Sequence, residues 1–233
     1  EQPELIISSS NVVNCVCSGE SSGSIDITVD GGNPNGGIPN YTFNWSNLET
    51  TEDLNNISAG SYTVTIIDEK NCEISQNFNI SEPLPFLDVF NTVDVKCNGE
   101  STGSIELIIS GNTPPYNYSW NNGNSSSNID NLEAGLYTVT VKDSNNCSEI
   151  FSIEIFEPEE LTIDYLITNA TCEENNDGSI SSIVSGGTMP YDYFWSNGTN
   201  NYEINNLSKG TYSLELRDAN LCIYPTETLE IGF

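Results

Sequence analysis

Ile25, Ile27 and Val29 alternate with Asp26, Thr28 and Asp30, so one side of this segment is apolar and the other polar. A period of two with a single apolar face predicts a half-buried strand. The same rhythm runs through Tyr41, Phe43 and Trp45 against Thr42 and Asn44, and through Tyr62, Val64 and Ile66 against Thr63 and Thr65. A short apolar stretch, Leu5-Ile6-Ile7, opens the series behind a proline, and a last strand after Cys72 includes Ile74, Phe78 and Ile80. No segment sustains an apolar period of 3.6, and β-branched residues with Asn, Gly and Ser dominate. The pattern predicts an all-β chain with almost no helix.

The series then repeats. Trp45, Trp120 and Trp195 are spaced by 75 residues, and each is followed 27 residues later by a cysteine, Cys72, Cys147 or Cys222. Cys17, Cys97 and Cys172 each stand eight residues before Ile25, Ile105 and Ile180 of a Gly-Ser-Ile. A fixed period of this kind marks a tandem array. The expected modules are residues 1–83, 84–158 and 159–233, three immunoglobulin-like or Greek-key β-sandwiches arranged end to end. At about 75 residues each is near the lower limit for independent folding. Glu1-Gln2-Pro3 occupies the place that Ser81-Glu82-Pro83 and Phe156-Glu157-Pro158 hold at the later junctions, so a preceding module is expected.

Within a module, the aromatic strand carries Tyr41, Phe43 and Trp45, then Tyr116, Tyr118 and Trp120, then Tyr191, Tyr193 and Trp195. The opposite face is polar, so an aromatic core ridge is expected rather than a sugar-stacking platform; only Phe194 breaks the pattern. A Gly and a Tyr follow in Ala59-Gly60-Ser61-Tyr62, Ala134-Gly135-Leu136-Tyr137 and Lys209-Gly210-Thr211-Tyr212. The Gly is expected at positive φ, with Tyr62, Tyr137 and Tyr212 plugging the core and bonding back to the corner, as in a tyrosine corner. The first copy alone expands one turn, Gly31 to Pro39, by about five residues.

Charge narrows the partners. Thirty-four Asp and Glu against five Lys and Arg give a net charge of −29, spread over all three copies. Five bases do not neutralise a phosphate backbone, so nucleic acid and anionic membrane surfaces are excluded as partners. No apolar run is long enough for a membrane span. With no histidine in the sequence, Ser-His-Asp and Cys-His catalysis are excluded. The acids recur diffusely, so no unique carboxylate pair stands out and no enzyme is expected.

The string Cys-x6-Ser-Ile, Gly-Gly-Thr-x-Pro-Tyr-x-Tyr-x-Trp, Asn-Leu-x-Ala-Gly-x-Tyr-x-Val-x-Val-x-Asp, Asn-Cys and Glu-Pro resembles the SprB-type repeat. Cys97, Ser104-Ile105, Trp120, Asn131-Leu132, Ala134-Gly135, Tyr137, Asp143, Asn146-Cys147 and Glu157-Pro158 carry the resemblance in the second copy. The third copy departs from it at Lys209, at Leu221 and in ending without Glu-Pro. The resemblance implies a tandem segment of a secreted or cell-surface adhesin of gliding bacteria with type IX secretion, used in attachment or motility. The expected role is a disulfide-stabilised, rod-like spacer. Its partners are neighbouring modules of a longer chain or other chains of a filament, and the alternative is a module that binds a surface ligand or glycan.

No cofactor is expected except calcium, for which Asp68, Asp143 and Asp218 are the weak candidates because they recur in one turn; the competing role is an Asx cap. The six in-register cysteines are expected to form disulfides, as in small extracellular domains. If one strand lies between the aromatic strand and the Tyr62 strand, both cysteines of a module fall at one end, giving Cys17–Cys72, Cys97–Cys147 and Cys172–Cys222. If two strands fit, the cysteines lie at opposite ends, roughly 20 Å apart. Cys97 then faces Cys222, and Cys17 faces Cys147. Only 15 residues separate Trp120 from Gly135, which favours the first arrangement. Cys15 has no counterpart and is expected to stay unpaired or to bond another chain.

Overall fold

The computed structural model describes residues 3–32 and 40–233. Every regular element among them is a strand. The first copy holds β1 (Ile6–Val13), β2 (Gly23–Asp30), β3 (Thr42–Trp45), β4 (Leu54–Ile57), β5 (Gly60–Ile67) and β6 (Glu73–Ile80). The second holds β7 (Leu87–Val93), β8 (Gly103–Ser110), β9 (Asn117–Trp120), β10 (Asn128–Leu132), β11 (Gly135–Lys142) and β12 (Ser148–Ile155). The third holds β13 (Thr162–Thr168), β14 (Gly178–Ser185), β15 (Asp192–Trp195), β16 (Glu203–Leu207), β17 (Gly210–Arg217) and β18 (Ile223–Ile231).

Each set forms two three-stranded sheets, β1-β2-β4 with β3-β5-β6 and their equivalents. In immunoglobulin letters these are A-B-E and C-F-G, a sandwich without strand D. Its landmarks are present. Trp45, on the strand equivalent to C, is buried and lies 6.1 Å from the Phe78 ring. The Tyr62, Tyr137 and Tyr212 hydroxyls donate to the carbonyls of Ser58, Glu133 and Ser208 at 2.9, 2.9 and 3.1 Å, closing a tyrosine corner in each copy. The chain is therefore a tandem of immunoglobulin-like β-sandwiches.

The missing strand decides the polarity of everything after it. β2 pairs with β4 antiparallel, Gly23 opposite Ile57 and Ile25 opposite Leu54, so β4 runs toward the β1–β2 turn. β3 pairs with β5 antiparallel, Thr42 opposite Ile67 and Trp45 opposite Val64. A tight turn leads from Ile57 into Gly60, so β3 and β4 run the same way, in different sheets. β5 then descends and β6 returns. The strand number is six, as the short interval suggested, but the directions are those of a seven-stranded sandwich.

The described residues fall into two compact units, Glu1–Val89 with Ile108–Ser119 and Thr140–Phe151, and Phe90–Leu107 with Trp120–Val139 and Ser152–Phe233. The first unit carries a core of Ile25, Ile27, Leu54, Trp45, Val64 and Ile66 with their neighbours. In the second unit, Ile180, Ile204, Trp195, Leu214 and Leu216 do the same for the third copy. Alternation along β2, buried at Ile25, Ile27 and Val29 and exposed at Asp26, Thr28 and Asp30, is as its sequence predicts. Close approach of the sheets requires the Gly of each Gly-Ser-Ile. A Cβ on Gly23 would lie 2.7 Å from Ile80 Cγ2 and 2.9 Å from the Ile57 carbonyl, and Gly103 and Gly178 meet the same obstacles.

One turn differs from expectation. Of the three glycines before the corner tyrosines, only Gly135 has positive φ; the left-handed residue in each copy is Asn56, Asn131 or Asn206, at φ 55°, 54° and 57°. Asn tolerates this region because its short amide bonds locally, and it takes the bend there before the chain changes sheets.

Candidate functional site: the disulfide joints

The turn after β5 is built around a buried aspartate. Asp143 Oδ1 accepts the backbone N–H groups of Asn145 and Cys147, both at 2.8 Å, and its Oδ2 accepts that of Thr113 at 3.0 Å. Asp218 repeats this with Asn220, Cys222 and Thr188, and Asp68 Oδ1 holds Lys70 and Cys72. All three side chains are buried. The residues singled out as calcium candidates thus serve as Asx caps, their oxygens facing amide hydrogens that a cation would have to displace. No cluster of three or more metal-ligating side chains occurs among the described residues.

The turn after β1 is equally uniform. Glu20 N donates to Cys17 O, Glu100 N to Cys97 O and Asn175 N to Cys172 O. Its neck is tied by Ser22 Oγ to Val16 N, Thr102 Oγ1 to Lys96 N and Asp177 Oδ1 to Thr171 N. Glutamates of the Glu-Pro junctions close the loop, Glu82 Oε2 accepting from Gly19 N at 2.6 Å and Glu157 Oε2 from Gly99 N at 2.7 Å. Hydrogen bonds from Thr171 hold the Asp177 carboxyl below the usual range.

These two turns are where the cysteines sit, and they lie at opposite ends of a sandwich. Eight-residue strands separate them, about 25 Å at 3.3 Å per residue, so no bond within a copy is possible. The disulfides are Cys17–Cys147 and Cys97–Cys222, with Cα atoms 5.5 and 5.6 Å apart. The expected Cys17–Cys72, Cys97–Cys147 and Cys172–Cys222 pairs are corrected accordingly. The physical reason is the shared direction of β3 and β4, which sends Cys72 to the far end. Cys72 and Cys172 are free and exposed.

Polar contacts accompany each disulfide. Ser18 N donates to Asn112 Oδ1 at 3.4 Å in the first unit, and in the second Asn220 Nδ2 donates to Lys96 O at 3.0 Å. Cys15 is buried, and its thiol points at the Ile57 carbonyl. Its N–H bonds Ser81 O just as Val95 N bonds Phe156 O and Ala170 N bonds Gly232 O, so it is a core residue that the other copies replace by Val and Ala. Buried there, it cannot reach another chain without opening the sandwich.

The aromatic ridge faces inward. Trp45, Trp120 and Trp195 are buried, and their Nε1–H groups donate to Thr51 O, Ser126 O and Asn201 O at 2.8–2.9 Å. Phe194, exposed on the other face, has the Arg217 guanidinium 5.3 Å from its ring centre. Of the expanded turn Gly31 to Pro39, residues 33–39 lie outside the described residues.

Fold and joints together define a tandem immunoglobulin-like repeat protein with disulfides between successive copies. A sequence profile of the SprB repeat matches residues 9–50, 89–125 and 165–200, so the chain carries three SprB repeats. No curated relative matches it. Among solved structures, the N-terminal eight immunoglobulin domains of Down Syndrome Cell Adhesion Molecule align at 11% identity and TM-score 0.41, covering 97% of this chain and 35% of that one. The chain thus spans about a third of that structure. The Dpr2 Ig1-Ig2 complex with DIP-Theta Ig1-Ig3 aligns at 12% identity and TM-score 0.31, covering 97% and 98%. Domains 4–9 of surface layer protein SbsC align at 16% identity and TM-score 0.27, covering 99% and 47%.

Proposed function

We propose that the chain is a structural segment of an extracellular surface adhesin or filament, with its three repeats at 1–83, 84–158 and 159–233 acting as a disulfide-stapled, rod-like spacer in attachment or gliding motility. One observation carries the reading: the residues that recur in all three copies serve folding or the joints between copies. Trp ridge, tyrosine corner, Asp cap, Gly of the Gly-Ser-Ile and both cysteine turns are each accounted for in this way. A catalytic role would need a constellation distinct from these. Disulfides between exposed loops fit an oxidising compartment outside the cytoplasm, and it is the resemblance to the SprB repeat that makes type IX secretion part of the reading. The high negative charge keeps such an array soluble.

Small-angle scattering tests the spacer. An extended particle whose distance distribution broadens on reduction is expected; a compact particle in the oxidised state contradicts it. A ligand- or glycan-binding role would place distinct exposed residues in one copy, as Phe194 and Met189 are in the third. Glycan-array binding by the whole chain that is lost in Phe194→Ser would favour that second reading.

A further inference from the structure

The first joint gathers three cysteines where the second has two. Cys15 is free and stands two residues before Cys17, whose sulfur is bonded to Cys147, while the same position before Cys97 is Val95. In the third copy it is Ala170. All three positions are buried, so packing is met by a plain hydrophobe and does not call for a thiol. We propose that Cys15 is the resolving thiol of the first joint, which takes over Cys17 and sets Cys147 free when this corner of the sandwich opens. The inference rests on the observed pairing and does not depend on the spacer reading.

Position gives the thiol its reach. Residues two apart in a chain stand no more than about 7 Å from each other, within the range of Cα separations that a disulfide accepts. The Cys147 sulfur is already beside the segment, 3.6 Å from the carbonyl oxygen of Val16, the residue between the two. What holds Cys15 apart is the core, where its thiol lies 3.5 Å from the Ile57 carbonyl oxygen. Buried there, it is inert.

The latch that buries it is made by the junction between the copies. Asn14 Oδ1 accepts Ser81 N and Ser81 O accepts Cys15 N, both at 2.9 Å, and the next residue, Glu82, holds Gly19 N. The later copies have the same latch, from Asp94 to Phe156 and from Asn169 to Gly232, with Val95 and Ala170 behind it. Chain leaving the first copy runs through Ser81 and Glu82, so extension of this junction loads those hydrogen bonds directly. Their loss lets Cys15 swing out toward the disulfide. Val95 behind the second latch offers no thiol, so the same opening there leaves the Cys97–Cys222 bond untouched.

The step is intramolecular thiol–disulfide exchange and needs no reductant. The Cys15 thiolate attacks Cys17 Sγ in line with the Cys17–Cys147 bond; the Cys15–Cys17 bond forms as the old bond breaks, and Cys147 leaves as a thiolate that takes up the proton Cys15 gave up. One disulfide and one thiol stand on each side, so the oxidation state is unchanged. The product closes only the short loop Cys15-Val16-Cys17 in place of one spanning 130 residues, which releases the joint. Attack by Cys147 in reverse restores it when the junction relaxes.

The test uses the whole chain carrying Cys72→Ser and Cys172→Ser, which leaves Cys15 as its free thiol, in mildly alkaline buffer without reductant and just below the melting midpoint. Iodoacetamide at about 0.1 mM traps released thiols while staying below the mM effective concentration of a tethered one, so exchange outruns direct labelling of Cys15. Tryptic mapping follows both joints. Cys147 is expected to be alkylated, with Cys15 and Cys17 cross-linked inside one peptide, at least about tenfold faster than either cysteine of the Cys97–Cys222 joint. Adding Asn14→Ala speeds the release. Adding Cys15→Val, the second copy's residue in the same site, stops it, and native tryptophan fluorescence reports that each variant is folded. Alkylation of Cys15 with the Cys17–Cys147 bond intact, a Cys15–Cys147 link, no release of Cys147, or equal release from the Cys15→Val chain overturns the proposal.

Discussion

Cys17 and Cys147 stand 130 residues apart in the chain, yet their Cα atoms lie 5.5 Å apart and their sulfurs are bonded. Cys97 and Cys222 repeat the relationship across 125 residues. In both, the turn after the first strand of one copy meets the turn after the fifth strand of the next.

Non-reducing peptide mapping is expected to return Cys17–Cys147 and Cys97–Cys222. Each bond closes a long loop and contributes about 2–4 kcal/mol by restricting the unfolded chain, so Cys97→Ser with Cys222→Ser lowers the thermal midpoint. Recovery of a Cys17–Cys72 peptide from native protein contradicts the strand directions described above.

Asp143 accepts three backbone N–H groups from a buried position. Asp143→Ala leaves those donors unsatisfied and is expected to cost roughly 3 kcal/mol in denaturant unfolding. Because those carboxylate oxygens are engaged, millimolar calcium should leave the melting midpoint of the wild-type chain where it is. A calcium-dependent rise would assign the aspartates a second role.

Leu48 sits at φ 73° with its side chain 90% exposed, where the later copies have Gly123 and Gly198 at φ 86° and 84°. A leucine in the left-handed region is strained by about 1–2 kcal/mol, partly offset by the chain entropy that glycine adds to the unfolded state. Leu48→Gly therefore raises stability by about 0.5–1 kcal/mol, and Gly123→Leu lowers it by about the same amount. A fall in stability for Leu48→Gly, or a rise for Gly123→Leu, in calorimetry would contradict the strain argument.

The buried Tyr165 hydroxyl finds no hydrogen-bond partner among the described residues. Tyr165→Phe is expected to stabilise the third copy by about 1 kcal/mol at pH 7. Burial, then the charges of Glu227 and Tyr224, pushes the phenol up to about 12. A folded value above the ordinary 10 means the neutral phenol is favoured by folding. That contribution is whole below pH 10 and is lost as pH rises toward 12. Denaturation between pH 9 and 12 should show a shallower fall for Tyr165→Phe than for wild type; identical slopes would count against it.

Strands, repeat period and aromatic ridge were legible because each is written locally. Alternation at Ile25, Ile27 and Val29 fixes which face is buried wherever the strand goes. The tyrosine corner was legible for the same reason, since Tyr62 bonds only four residues back. The glycine reading failed at Gly60 and Gly210 because two nearby residue types, Gly and Asn, compete for a left-handed bend, and only the backbone path shows that Asn56 and Asn206 take it.

The sequence by itself determined an all-β tandem of three repeats and the buried faces of their strands, products of local pattern and burial, while it left the recurring aspartates open between calcium ligand and turn cap. It also narrowed the disulfides to two schemes. Tertiary structure alone decided between them, through the direction of a four-residue strand: β4 crosses to the other sheet without reversing. Strand count is a property of length and pattern, whereas strand direction depends on which neighbour accepts the hydrogen bonds, and β4 finds its partner in β2, some thirty residues back.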